Sequence, residues 1–135
     1  MCRVWLIALC FFLSIPAMAD TEPVDLSAER MLSACRDVAA ARITDGGIVM
    51  PKDFDSGLCW GAFGVLQTVI SIVHVNEEDK TYSRVLGVCV PSDATRSQLI
   101  AIFVEFAKRN PQRYHEDFYF VTKDALKAAF PCSKP

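Results

Sequence analysis

Beyond its first twenty residues the chain holds four cysteines, Cys35, Cys59, Cys89 and Cys132, so widely spread that any pairing joins distant parts of the fold. Even the closest two, Cys35 and Cys59, stand much further apart than the roughly two to four residues between paired zinc ligands, which argues against a structural metal. The first residues indicate where these thiols go. Arg3 precedes an apolar run from Val4 to Ile15, and Ala17-Met18-Ala19 follows it, the pattern of a secretory signal peptide cut before Asp20. The run is too short to span a bilayer, and bulky Leu9 stands where lipid attachment at Cys10 would want a small residue. Residues 1–19, with Cys2 and Cys10, are therefore expected to be removed. In the exported remainder an even number of cysteines reads as two disulfides.

Residues 20–135 suffice for one domain with one core. Losing the leader removes one cation, Arg3, and leaves thirteen Lys and Arg against sixteen Asp and Glu, an acidic balance that argues against a nucleic-acid partner. Apolar residues then recur at helical spacing. Ala28, Leu32, Cys35 and Ala39, with Met31 and Val38 beside them, form one face of a first helix that Asp25 or Ser27 can cap. Ile43 to Gly57, with Thr44-Asp45-Gly46-Gly47 and Pro51, reads as a loop. Leu58 to Val73 has only Gln67, Thr68 and Ser71 as polar side chains and is expected to be a central helix buried on most sides.

His74 to Ser83, HVNEEDKTYS, is an exposed connection, and Arg84 to Val90 suits a short extended run. Thr95-Arg96-Ser97-Gln98 has capping-box spacing, followed by Leu99, Ile102, Phe103 and Phe106 on one stripe. Asn110-Pro111 stops that helix and starts a last one running to about Phe130, with Tyr114, Phe118, Val121, Ala125 and Leu126 inward. The fold class is all-α: a small bundle of about four to five helices stapled by two disulfides. Four cysteines allow three pairings, and helix order favours Cys35 with Cys59 and Cys89 with Cys132.

No catalytic constellation emerges. His74 and His115 lack a partnering nucleophile or a second histidine one turn away, and there is no Gly-x-Ser-x-Gly elbow, glycine-rich phosphate loop or Cys-x-x-Cys. Glu77, Glu78 and Asp79 lack the alternating ligands and glycine of a calcium loop. Trp60, Phe63, Phe103, Phe106, Phe118 and Phe130 fall at helical spacings and read as core. No cofactor, metal or membrane contact of the mature chain is expected, and binding is the expected role.

With those elements placed, the segment from Cys59 to Cys132 resembles the Rap/Tai family of type VI secretion amidase immunity proteins. The likeness lies in Cys59-Trp60-Gly61, Val88-Cys89-Val90-Pro91, Thr95-x-x-Gln98-Leu99, Asn110-Pro111 and Ala125-Leu126-x-x-Ala128 running on to Phe130-Pro131-Cys132. The resemblance implies a helical periplasmic protein, commonly a homodimer, that blocks the active-site groove of a peptidoglycan amidase effector with a loop. The HVNEEDKTYS segment is the leading candidate for that loop, with Tyr82 filling a pocket and Glu77, Glu78 and Asp79 steering a basic groove. Two other classes remain open: a periplasmic protein of this fold with an unrelated partner, and a small secreted hydrolase.

Overall fold

In the computed structural model, which describes residues 23–76 and 87–132, the first helix, α1 (Ala28–Ala39), begins where the sequence places a cap. Ser27 is extended, and its hydroxyl accepts the Arg30 N–H. The neighbouring N–H groups, which an α-helix leaves without internal partners, find theirs on the far end of the chain. Ala28 donates to Glu116 O at 2.8 Å and Glu29 to Tyr114 O at 3.1 Å, while Phe118 N–H returns to Leu26 O at 2.9 Å. Ser27 and Asp117 thus form an isolated antiparallel bridge. Ala28, Met31, Leu32, Cys35 and Val38 make the buried stripe of α1.

The stretch expected to be loop contains more order than that. Arg42–Thr44 (β1) and Gly47–Val49 (β2) pair as an antiparallel hairpin, the sole sheet among the described residues. Its turn needs glycine, because Gly47 has a φ of +117°, a region that side chains with a Cβ rarely enter. The second helix, α2 (Phe54–Asn76), then starts earlier than expected, at Phe54. Asp53 supplies the reason, since its carboxylate accepts the Ser56 N–H at 2.8 Å and the Ser56 hydroxyl at 3.1 Å.

α2 also departs from the expected burial. It is not a central helix enclosed on most sides: Ser56, Cys59, Phe63 and Ile70 are buried, while Val65 and Ile72 on the opposite side are 60% and 54% exposed. The centre is shared by α1 and α3 (Arg96–Arg109), each of which packs against the other, against α2 and against the last helix, α4 (Phe118–Ala129). Thr95 caps α3, its oxygen accepting the Gln98 N–H at 3.3 Å. The buried stripe is Leu99, Ile100, Phe103, Val104 and Ala107; Ile102 and Phe106 are only half-buried, so the face is rotated from the one expected. Thr95→Ala should destabilise the domain by about 1 kcal/mol, read as a lower denaturant midpoint at unchanged slope. An unmoved midpoint would mean that another group caps α3.

The segment after Asn110 does not run on as one helix. Pro111–Arg113 is a short 3-10 turn, and Asn110 does not cap it; its side-chain amide donates instead to Phe106 O at 2.8 Å. Asp117 caps α4 by accepting the Tyr119 N–H at 2.8 Å, and the intervening residues are the ones bonded to the start of α1. Val88 and Val90 are buried without forming a strand, whereas Arg84 to Leu86 lie outside the described residues.

The four helices close around three fully buried rings, one each from α2, α3 and α4. Phe63, Phe103 and Phe118 sit with centroids 5.1 to 5.8 Å apart, two of the pairs edge to face, an arrangement that aromatic quadrupoles favour. Trp60, Phe106 and Phe130 pack around this centre half-buried. Disulfides join Cys35 to Cys59 and Cys89 to Cys132, the pairing that helix order favours, with Cα atoms 5.2 and 5.0 Å apart. The first ties α1 to α2; the second ties the turn before α3 to the end of α4. The class is all-α apart from the short hairpin.

Candidate functional site

Cys35, Cys59, Cys89 and Cys132 are all oxidised, so none of them is a nucleophile. His115 is exposed, and His74 lies in the last turn of α2. Among the described residues no three His, Cys, Asp or Glu side chains come together as a metal site. No described helix is long and apolar enough to cross a membrane.

The ionic clusters brace the fold. Arg113 donates to both Glu116 oxygens at 2.9 and 2.6 Å and to Asp124 at 2.9 Å, fastening the 3-10 turn to α4. Arg30 binds Asp55 through both guanidinium nitrogens, one of them at 3.0 Å, and so clips α1 to the start of α2. The Arg113 bonds hold the Glu116 carboxyl below its ordinary pKa, and the Arg30 bonds do the same for Asp55. A carboxylate with a depressed folded pKa stabilises the fold above its ordinary value and loses that contribution as pH falls through the folded one. The denaturant midpoint should therefore hold from neutrality to about pH 5 and drop below about pH 4, with a smaller drop in Glu116→Gln. An identical acid-side profile in that variant would remove the pair from the account.

Glu77, Glu78, Asp79 and Tyr82, the residues singled out for partner contact, lie outside the described residues; α2 ends at Asn76, immediately before them. What the structure does display is the rest of α2. At 100° per residue its outward side runs through Gly61, Thr68 and Ile72, with Gly57 beside them. At Gly57 and Gly61 an added Cβ would meet nothing within 4 Å. One flank carries Phe54, Val65 and Val69, exposed by 72%, 60% and 40%. Thr68 and Ser71 turn their hydroxyls back to the Gly64 and Gln67 carbonyls, both at 2.9 Å, which leaves little polarity to face outward.

The other flank carries Arg96, from the first turn of α3, laid across α2. Its guanidinium stands 4.5 Å from the Trp60 ring centroid, with Nε 3.4 Å from Gln67 Oε1 and Nη1 3.4 Å from Trp60 O. A Cβ on Gly64 would come within 3.0 Å of Arg96 Cζ, so glycine makes room for the arginine. Sequence reading missed this face because every side of the Leu58–Val73 run is apolar, which conceals which side is covered. The signal present was the glycine spacing, since exposed glycines weaken a helix by about 1 kcal/mol each relative to alanine. A separate groove of about 600 Å³ runs between α3 and α4, floored by Ala101, Ile102, Phe106 and Ala128 and rimmed by Glu105 and Arg109.

Compared with known proteins, this chain matches the family model of the Rap1a immunity proteins over residues 27–132. The chain belongs to the Rap1a immunity protein family. The match runs from Ser27, the cap of α1, to Cys132, the last disulfide cysteine, and so takes in all four helices and both disulfides of this Rap1a family member. It extends the likeness seen from Cys59 onward back through the hairpin and α1. No curated protein and no solved structure matches the chain.

Proposed function

We propose that this Rap1a family member is a periplasmic immunity protein that binds a type VI secretion peptidoglycan amidase and blocks its active-site groove. The observation that carries the reading is the family match over residues 27–132. Three features support it. Arg3, the apolar run from Val4 to Ile15 and the Ala17-Met18-Ala19 that follows have the form of an export signal cleaved before Asp20. Disulfides persist in an oxidising compartment such as the periplasm, where peptidoglycan is exposed to an amidase. The domain is braced by both disulfides and by a closed aromatic centre, a rigid base from which to present a loop. In this reading the chain inhibits and does not catalyse, self-associates as a homodimer, and contacts the amidase through Glu77, Glu78, Asp79 and Tyr82.

The test uses residues 20–135 with disulfides intact and type VI secretion peptidoglycan amidases from the same genome. Stoichiometric suppression of peptidoglycan cleavage is expected, together with no cleavage by the immunity protein alone. Tyr82→Ala should weaken binding by about 2 kcal/mol, mainly through faster dissociation, and neutralising the three acids should slow association and flatten its salt dependence. Undiminished amidase activity at saturating inhibitor would overturn the reading. So would peptidoglycan turnover by the chain itself that His74→Ala or His115→Ala abolishes.

A further inference from the structure

We infer that the outward face of α2, flanked by the Trp60–Arg96 pair, is a second contact surface for the effector and takes a carboxylate set in an apolar patch. The inference rests on the inhibitor reading above and deepens it. Its first support is the arginine. Arg96 is stacked on Trp60 and held by the Trp60 carbonyl and Gln67, whose own amide donates to Ala94 O at 3.2 Å. Among the described residues no carboxylate pairs with it, in contrast to Arg30 and Arg113. A guanidinium fixed in this way loses little rotamer freedom on meeting an anion, and its planar fork suits a carboxylate.

The second support is what surrounds it. Between Ser56 and Asn76, α2 has no Asp, Glu, Lys or Arg, so Arg96 provides the charge of an otherwise neutral face. Gly57 and Gly61 let a partner approach the helix backbone closely, and Val65 and Val69 offer exposed apolar area beyond them. Arginine and tryptophan are the side chains most enriched where binding energy concentrates, and an ion pair closed off by apolar contacts is shielded from water and salt. Charge also chooses the occupant. A second copy docked face to face through α2 would present another Arg96 and no carboxylate from residues 56–76. A different protein bearing an Asp, a Glu or a C-terminus within an apolar patch satisfies both features.

The experiment is surface plasmon resonance of the disulfide-intact wild-type protein, Arg96→Gln, Arg96→Lys and Val65→Glu against the type VI secretion amidase that the inhibition test above identifies, with sedimentation velocity of each variant alone. Because Arg96→Gln could loosen α3 from α2, Val65→Glu, at an exposed position, provides a test independent of that packing. Arg96→Gln and Val65→Glu are each expected to raise Kd at least tenfold, with most of the change in dissociation, and Arg96→Lys to recover only part of the affinity. Wild-type affinity in all variants would overturn this surface and leave the inhibitor reading intact. No binding by the wild-type protein would overturn that reading and this occupant with it. Loss of self-association in Val65→Glu with unchanged amidase affinity would assign the face to a second copy and overturn the inference.

Discussion

Phe103→Ala should lower the free energy of unfolding by about 3 to 5 kcal/mol, a large part of the roughly 5 to 15 kcal/mol that holds a domain of this size together. The ring is fully buried, on a helix that touches the other three, with Phe63 5.8 Å and Phe118 5.1 Å away. Those two rings come from different helices, and the disulfides restrain how far the helices can close over a lost phenyl group, so much of the cavity should persist. Phe120, 63% exposed on the outside of α4, is the matched control, and Phe120→Ala should change stability by less than about 0.5 kcal/mol. Denaturant unfolding of both variants gives the comparison. A loss below about 2 kcal/mol at Phe103 would mean that the helices can collapse into the gap.

Removing the Cys35–Cys59 bond as Cys35→Ala/Cys59→Ala should cost about 3 kcal/mol or more, and two considerations compete over which disulfide matters most. Chain entropy alone favours Cys89–Cys132, with its sequence separation of 43 against 24, but only by about 0.5 kcal/mol because the dependence on loop length is logarithmic. Burial favours the other bond. Cys35 and Cys59 are both fully buried between α1 and α2, so their replacement also forfeits packing, whereas Cys132 is exposed at the end of the described chain. The double variant at 35 and 59 is therefore expected to unfold at lower denaturant than Cys89→Ala/Cys132→Ala. The reverse order would show that loop closure in the unfolded chain outweighs packing in the folded one.

The legible parts of this fold were those set by residues near one another in sequence. Ser27 and Thr95 announced their helices because a cap needs only a hydroxyl two or three residues ahead of an N–H. Asp53 offered the same local signal for α2, overshadowed by the turn residues before it. The disulfide pairing followed from helix order, a topological argument that needs no distances. Burial of α2 was not legible, since a run apolar on every side does not say which side meets a partner, and here α1 and α3 cover only one. The break between the 3-10 turn and α4 was hidden for a different reason. It is set by Leu26 and Ala28, far away in the chain, whose backbone groups bond to Phe118 and Glu116 and override local helix preference. At the functional surface, the proposed contact residues from Glu77 to Tyr82 lie beyond the described residues, and Arg96 had been read only as the second member of a capping box. Its place over Trp60 and Gly64 depends on how α3 crosses α2, which no local pattern records.

The bonds between the beginning of α1 and the beginning of α4 also set an order of events for the growing polypeptide. Ala28 cannot reach its acceptor on Glu116 until nearly the whole domain has been synthesised. At ribosomal speeds of roughly 5 to 20 residues per second, that is a wait of about 5 to 20 seconds during which α1 has neither its backbone partners nor α3 and α4 to lie against. A nascent chain wired in this way stays open while it is being made. Such lateness leaves the contacts that lock the domain to some of the last residues made.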